Sequence, residues 1–497
     1  MRLAELLSHA GRAIEGAGDV AVTGFAIDHR KVAPGTVFGA FAGVKFNGED
    51  FIPAAIAAGG VAIVARPEAK VEGALHIADA NPRRAFARLA AGFFAPVPAT
   101  IVAVTGTNGK TSTVEMTRQI WRMAGERAAS IGTLGVTTPD GSVSTGLTTP
   151  DIVTFLANMS GLAREGVTHV AYEASSHGLS QYRNEGLTVA ASAFTNFSRD
   201  HLDYHGTMEE YFAAKMRLFT EVVAPGSPAV IHDADDGSEW TAKAVAQAEM
   251  RGLKVMTVGE GGTFLKLIAR EPGQLGQLLH IEYEGETRKV NLPLIGAYQA
   301  ANALVSAGLA MATGVSASAT FDALTRLQPV RGRLERAGIN QAGAPAYVDY
   351  AHTPDALEAA IAALRPHVAD GGRLIVVFGA GGDRDAGKRP QMGAVAARDA
   401  DVAIVTDDNP RSEDPATIRA AIIAGAPAGV LRDIGDRRAA IAAAIGEAGP
   451  RDIVLIAGKG HEQGQIIGSG DNMRIEAFDD VEVARECAGG QVSGGLG

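Results

Sequence analysis

Cysteine is almost missing: the 497 residues contain one, Cys487, close to the C-terminus. A single cysteine excludes an internal disulfide and a cysteine-ligated zinc site, and it fits a reducing cytoplasm. Positive charge is also in deficit. Lys and Arg number 45 against 56 Asp and Glu, a net charge of -11. That balance argues against a broad surface for nucleic acid or for an anionic membrane. An anionic ligand must then be held by local groups. Long apolar runs are lacking too. The N-terminal segment MRLAELLSHAGRAIEGAG has no apolar core of the signal-peptide kind. Residues 90–109 carry Pro96 and Pro98 and end in Gly-Thr-Asn-Gly. Residues 291–321 hold Pro293, Gly296, Gln299, Asn302 and Ser306, so they read as a buried Ala-rich helix. A membrane-spanning helix needs about 20 mostly apolar residues. No nucleic-acid partner and no membrane partner is expected.

What remains is an ordinary globular composition, 46% hydrophobic and 20% charged. The length exceeds what one core serves and suggests about three domains. Residues 1–95 mix short apolar runs with turns and read as a small α/β unit. Pro96-Val97-Pro98 is a hinge, since X-Pro pairs favour extended chain. Strands and helices then alternate to about residue 328. A third unit starts near Val330-Arg331-Gly332-Arg333 and carries strand candidates at 373–378, 401–406 and 452–457. The expectation is therefore an α/β protein of three domains, 1–95, 96–329 and 330–497. The central one is a P-loop ATPase with a parallel sheet, and the last is a Rossmann-like doubly wound domain. The final residues, from Gly489, read as a frayed tail.

The strongest local signal is Gly106-Thr107-Asn108-Gly109-Lys110-Thr111-Ser112, which follows an apolar strand at 100–104 and opens a helix ending near Ala124. Backbone N–H groups of such a loop, with the positive helix end, cradle phosphates. Lys110 neutralises the β- and γ-phosphates, and the Thr111 hydroxyl suits Mg²⁺. The general pattern wants glycine where Val104 stands, so the loop is a variant. Glu173 and His201 are placed just past apolar strands at 167–171 and 190–194, where ligands collect in parallel sheets. A carboxylate and an imidazole are acceptable Mg²⁺ ligands. Taken singly, Glu173 also reads as a loop acid and His201 as a cap. Lys215, on a helix, reads from the sequence as a solvated lysine. Arg331 and Arg333 read equally as solvated charges at a domain boundary.

The variant loop TGTNGKTS resembles that of the Mur ligase superfamily, which includes folylpolyglutamate synthetases. Further strings agree, in order: Asp28-His29-Arg30 with Pro34-Gly35, Thr148-Thr149-Pro150, Tyr172 to Gly178 (YEASSHG), Thr195 to Asp203 (TNFSRDHLD), Gly296 to Asn302 (GAYQAAN) and Asp349 to Pro354 (DYAHTP). The chain is similar to the diaminopimelate-adding branch over nearly all of residues 1–485. The resemblance implies an ATP-dependent ligase that adds meso-diaminopimelate to a UDP-linked muramyl dipeptide in peptidoglycan precursor synthesis. The substrates are then small molecules, the protein a cytoplasmic monomer and the cofactor Mg²⁺. It implies that Lys215 carries a CO₂-derived carbamate and helps hold metal with Thr111, Glu173 and His201. It assigns catalysis to Lys110, Lys215, His201 and Glu173. Asn302, Arg333, Asp349 and His352 join the loop in binding ATP. Ile27, His29, Thr148, Thr149, Ser175, Gln181 and Arg183 bind the UDP-muramyl dipeptide. Two departures fall here: His29 stands where the family commonly has Ser, and Leu147 where some members have Asn. Uridine contacts near residues 43–46 do not match residue by residue. Closure over ATP is expected, because an acyl phosphate open to water hydrolyses.

Three loops follow the three C-terminal strand candidates: 379–390, 407–411 and 458–462. In a doubly wound sheet they meet in one crevice. Arg384 and Arg411 can each grip a carboxylate, and Asp408 or Glu462 can accept from an ammonium. That set suits a zwitterion with two acids and two amines. Asp408-Asn409-Pro410-Arg411 marks the diaminopimelate-adding branch, and with Arg384, Gly458 and Glu462 it is the expected amino-acid pocket. Lysine would leave an arginine unpaired and partly desolvated, a source of discrimination on the order of 10⁴-fold.

Overall fold

The computed structural model describes residues 1–43, 46–143 and 148–489. Leu147, the middle of the 43–46 segment and the tail after Gly489 lie outside the described residues. The chain forms two compact units, Met1–Phe264 with Val305–Thr320, and Leu265–Leu304 with Phe321–Gly497.

The first unit opens with a parallel sheet of four strands in sequence order, Gly24–Ala26, Thr36–Gly39, Gly60–Ala65 and Leu75–Ala78. The helix Pro82–Phe93 covers it, capped by Asn81 and burying Phe86 and Leu89. A second parallel array follows. Its strands lie side by side as Lys254–Gly259, Pro228–His232, Ala191–Phe194, Thr100–Thr105, His169–Glu173 and Ala128–Gly132, with two short antiparallel strands beyond. Thr100–Thr105 is apolar on both faces, with Ile101 to Val104 fully buried, as a central parallel strand requires. It sits between His169–Glu173 and Ala191–Phe194, so the crossovers leave it in opposite directions. That makes a topological switch point, and the crevice outside its carboxyl end is where α/β sheets bind ligands.

In the second unit a six-stranded sheet has the order Glu335–Ile339, Pro345–Asp349, Ile453–Ala457, Leu374–Phe378, Val402–Val405, Leu431–Asp433. Only the first pairing is antiparallel. A departure from the expected alternation lies at residues 265–292, where three strands, Leu265–Gly273, Gly276–Tyr283 and Glu286–Leu292, form an antiparallel meander. Period-2 burial explains it: Leu265 and Leu267 point inward while Lys266 and Ile268 are exposed. Glu284 and Gly285, both at positive φ, supply a tight hairpin turn. Ala297–Ala312 is the Ala-rich helix expected there, and among the described residues no helix is long and apolar enough to cross a membrane.

Candidate active site

The phosphate loop turns at the carboxyl end of Thr100–Thr105, and Gly109, at φ 82°, starts the helix Lys110–Met123. Gly106 has φ 144°, and a Cβ there would stand 2.0 Å from Thr195 Oγ1, so only glycine fits. The Thr195–Ser198 segment clamps the loop from the neighbouring strand. Thr107 N–H donates to the Asn196 carbonyl at 2.9 Å, Asn108 N–H donates to Asn196 Oδ1 at 2.9 Å, and Thr107 Oγ1 donates to the Ser198 carbonyl at 3.2 Å. Tyr211 Oη donates to Thr107 Oγ1 at 3.2 Å. Lys110 Nζ folds over the loop, donating to the carbonyls of Gly106 at 3.0 Å and Thr107 at 2.7 Å. Ser112 is buried in the helix's first turn.

Glu173 is the last residue of its strand rather than the first beyond it, because Tyr172 and Glu173 extend the pairing with Ala103 and Val104. The carboxylate is 1% exposed and accepts from Thr111 Oγ1 at 2.9 Å and from Thr133 N–H at 2.7 Å. Gly132 makes room: a Cβ there would meet Glu173 Oε1 at 2.1 Å.

Lys215 lies on the helix Met208–Arg217, and the solvated-lysine reading is overturned. It is 1% exposed, with Nζ donating to the Gly106 carbonyl at 2.6 Å and 4.5 Å from the Tyr211 ring centre. Burial, with the like charge of Lys110 adding to it, holds the amine well below the usual lysine range. Only a neutral amine has the lone pair that attacks the carbon of CO₂, so the site suits carbamylation. Thr111 and Glu173 share one hydrogen bond, and both are oxygen donors of the kind Mg²⁺ takes. His201 caps the short helix Leu202–His205 at φ 51°, half-exposed, with Nε2 3.5 Å from Asp200 and its ring 5.9 Å from that of Tyr211.

The expected muramyl-dipeptide residues gather beside Glu173. Thr149 Oγ1 lies 2.9 Å from both the Glu173 carbonyl oxygen and Ser175 Oγ, and Ser175 caps the helix Ser176–Ser180. Thr148 Oγ1 is 3.0 Å from Thr133 Oγ1. Arg183 donates to the Thr149 carbonyl at 2.8 Å and through Nη2 to Gln181 Oε1 at 2.8 Å, and Gln181 donates to Tyr204 Oη at 3.0 Å. On the first sheet, Ile27 is exposed and His29 stacks on Phe51 with ring centres 4.4 Å apart. The neighbouring Arg30 fork holds the Asp28 carboxyl down at about 2.

In the second unit Asp349 ends its strand, buried, and accepts from Leu334 N–H at 2.8 Å and Ala351 N–H at 2.9 Å. Burial raises its pKa despite the nearby Arg333. The Arg333 guanidinium lies 5.4 Å from the Tyr350 ring centre, and its carbonyl accepts from Gln299, which in turn accepts from Asn302 at 3.4 Å. His352 Nδ1 is 2.8 Å from the Tyr350 carbonyl oxygen.

The three C-terminal loops come together. A Cβ on Gly382 would stand 1.9 Å from the Pro410 carbonyl oxygen, and one on Gly458 2.5 Å from Asp408. Arg411 Nη1 donates to the Gly382 carbonyl at 2.7 Å, while its backbone N–H donates to Ile466 at 3.0 Å. Arg384 is exposed beside Gly381. Asn409 and Asp408 are turned inward. Asn409 Nδ2 donates to Glu462 at 2.7 Å, and the buried Lys459 Nζ donates to Asn409 Oδ1 at 3.0 Å and lies 3.4 Å from Asp408.

Sequence reasoning missed Lys459, which it grouped with a loop; Thr133, visible only as a polar residue following a strand; and Arg389 and Arg437. Arg389 donates to Glu413 and to the Gly381 carbonyl, and the fully buried Arg437–Asp480 pair also reaches the Ala457 carbonyl at 3.0 Å. Nothing in the spacing of these arginines distinguishes them from surface charge.

Residues 104–310 match the Mur ligase middle domain and residues 332–460 the Mur ligase glutamate ligase domain. The chain is 60% identical over 468 residues, 94% of its length and 95% of the relative's, to a protein of Zymomonas mobilis named UDP-N-acetylmuramoyl-L-alanyl-D-glutamate--2,6-diaminopimelate ligase. A protein of the same name from Bradyrhizobium diazoefficiens is 51% identical across 99% of this chain and 100% of its own. A solved structure of a ligase bearing that name superposes with a TM-score of 0.76 at 31% identity, covering 99% of both chains. Identity of this extent over whole chains, on a fold shared end to end, places this chain in the Mur ligase family.

Proposed function

We propose that the chain joins the amine of meso-diaminopimelate to the D-glutamate side-chain carboxyl of UDP-N-acetylmuramoyl-L-alanyl-D-glutamate, with ATP cleaved to ADP and phosphate. The identity to relatives bearing that name supports this reading. The single structural observation that carries it is Arg411, whose guanidinium lies against Gly382 beside Arg384. Among the described residues neither arginine forms an ion pair, so both are open to substrate carboxylates.

The phosphates rest at the Gly109-Lys110-Thr111 turn where the helix begins, with Lys110 neutralising charge on the transferred group. The substrate carboxylate attacks the γ-phosphorus, ADP leaves, and an acyl phosphate forms. The amine then attacks its carbonyl carbon, phosphate leaves, and the amine nitrogen loses a proton. Thr111, Glu173, His201 and carbamylated Lys215 would hold Mg²⁺, which would supply charge neutralisation for the phosphoryl group. Lys215 acquires the carbamate when its neutral nitrogen adds to the carbon of CO₂ and releases one proton. Thr148, Thr149, Ser175, Gln181 and Arg183 orient the dipeptide, with Ile27 and His29 toward the nucleotide. Asn302, Arg333, Asp349 and His352 complete ATP binding. Segments 1–95, 96–329 and 330–497 serve as nucleotide-sugar, ATP and amino-acid domains in this reading.

Phosphate release across a panel of amino acids tests it. Release should require the UDP-dipeptide and diaminopimelate together. Equal turnover with lysine, or release without an amino acid, overturns the assignment.

A further inference from the structure

Two consecutive arginines on the helix Pro82–Phe93 have opposite surroundings. Arg84 meets Glu185 at 3.5 Å and Glu221 at 3.3 Å, so its charge is spent inside the protein. Arg83 has no such partner. Its Nη2 donates to the Ala42 carbonyl at 3.0 Å and its guanidinium lies over the Phe41 ring, 4.9 Å from the centre. Among the described residues it forms no ion pair. The groups near enough to act on it are Tyr204 and another cation, Arg183. Among the described residues Arg183 is likewise without a carboxylate partner, and the acid that acts on it, Asp151, is committed to capping the helix Ile152–Arg164. Both guanidiniums are half-buried, and burial pulls both below the usual arginine range.

The contact of Arg84 with Glu185 packs the two segments against each other, and two half-buried like charges carried on them are unfavourable unless an anion comes to them. Planar guanidiniums match phosphate and carboxylate oxygens in pairs. Tyr204 and Gln181, hydrogen-bonded to each other beside Arg183, add neutral polar groups at the same place. We propose that Arg83 and Arg183 form a two-arginine clamp for an acidic group, phosphate or carboxylate, of the nucleotide-linked substrate. The clamp draws one arm from the helix over the first sheet and the other from the segment that follows Ser175. It rests on the substrate assigned above.

Titration calorimetry on the full chain, with ATP absent, tests the clamp. The native protein is titrated with the UDP-muramyl dipeptide, with UDP-N-acetylmuramate and with UDP. Arg83→Ala should weaken the UDP-muramyl dipeptide at least about tenfold, with Arg83→Lys recovering part of the loss. Equal weakening of UDP itself assigns the clamp to the diphosphate, and weakening that spares UDP assigns it to a carboxylate. Binding of all three ligands within twofold of native by a folded Arg83→Ala overturns the proposal. Should that variant fail to fold, Arg83→Gln, which keeps part of the contact with Phe41, decides by the same criteria. Failure of the native protein to bind the UDP-muramyl dipeptide would instead strike the substrate assignment itself.

Discussion

Lys459 Nζ lies 3.0 Å from Asn409 Oδ1 in full burial, and through that contact one C-terminal loop fixes the shape of another. The same ammonium donates to the Gly464 carbonyl at 2.7 Å and faces Asp408 at 3.4 Å. Asn409 and Arg411 both stand at positive φ, 44° and 52°, an arrangement that non-glycine residues keep only when neighbours enforce it. Lys459→Met should therefore strip Asp408 of the ammonium 3.4 Å away, leaving Arg437 as a remaining counter-charge, and release the loop. Breaking a buried pair costs about 3–5 kcal/mol. Urea unfolding should register the loss, and KM for diaminopimelate should rise far more than KM for ATP. Unchanged KM for both would show that the loop holds its shape without the lysine.

Arg411→Ala removes a guanidinium but no loop contact made by the backbone, since Arg411 N–H and C=O both pair with the 466–468 segment. Diaminopimelate addition should fall by about 10²- to 10⁴-fold in kcat/KM, the scale set when a charged group loses its partner. ATP binding should remain near native. The ratio of lysine to diaminopimelate use should rise, because in the proposed reading lysine leaves this arginine without its carboxylate. A variant that keeps full selectivity would move that role to Arg384.

Much of this arrangement was legible in the chain. The strand, loop and helix around Lys110 follow from an apolar run, two glycines and a lysine, because backbone geometry leaves few ways to build that turn. The ends of strands 374–378, 402–405 and 453–457 fell within a residue of expectation for the same reason. The antiparallel meander at 265–292 did not, since its alternation is short and its edges carry charge that a helix could also carry. Lys215 shows the sharper limit. Periodicity places it on a helix, but only tertiary packing against Tyr211 and the Gly106 carbonyl buries it. Asn409 was expected to face the amino acid, yet its amide bonds to Lys459, Ile466 and Glu462, a use that no local pattern encodes.

Gly132→Ala tests the metal role proposed for Glu173 without touching a charged group. The added Cβ would meet Glu173 Oε1 at 2.1 Å and must push the carboxylate away from Thr111 and Thr133. Overpacking of this kind costs about 1–3 kcal/mol. Activity should fall at least about tenfold, and the Mg²⁺ concentration for half-maximal rate should rise, because a misplaced ligand weakens a metal site more than a nucleotide loop. A rate and Mg²⁺ dependence equal to native would separate Glu173 from the metal.

Lys215 ties pH to both stability and modification. Its amine is held well below the ordinary lysine value of 10.5, chiefly by burial, so the unfolded chain binds this proton more readily than the folded one. Between the depressed value and 10.5 the unfolded state carries more protons, and stability of the unmodified protein must rise with pH in that window. Lys215→Met should flatten the rise, measured by urea unfolding in bicarbonate-free buffer. Carbamylation follows the same neutral amine. Protein equilibrated with ¹³C-bicarbonate should show a carbamate carbon resonance that fades as pH falls and is absent from Lys215→Ala. That variant should lose most activity, and small anions should restore part of it by replacing the negative charge. An undiminished rate in Lys215→Ala, with no carbamate signal in the native protein, would remove Lys215 from the metal site.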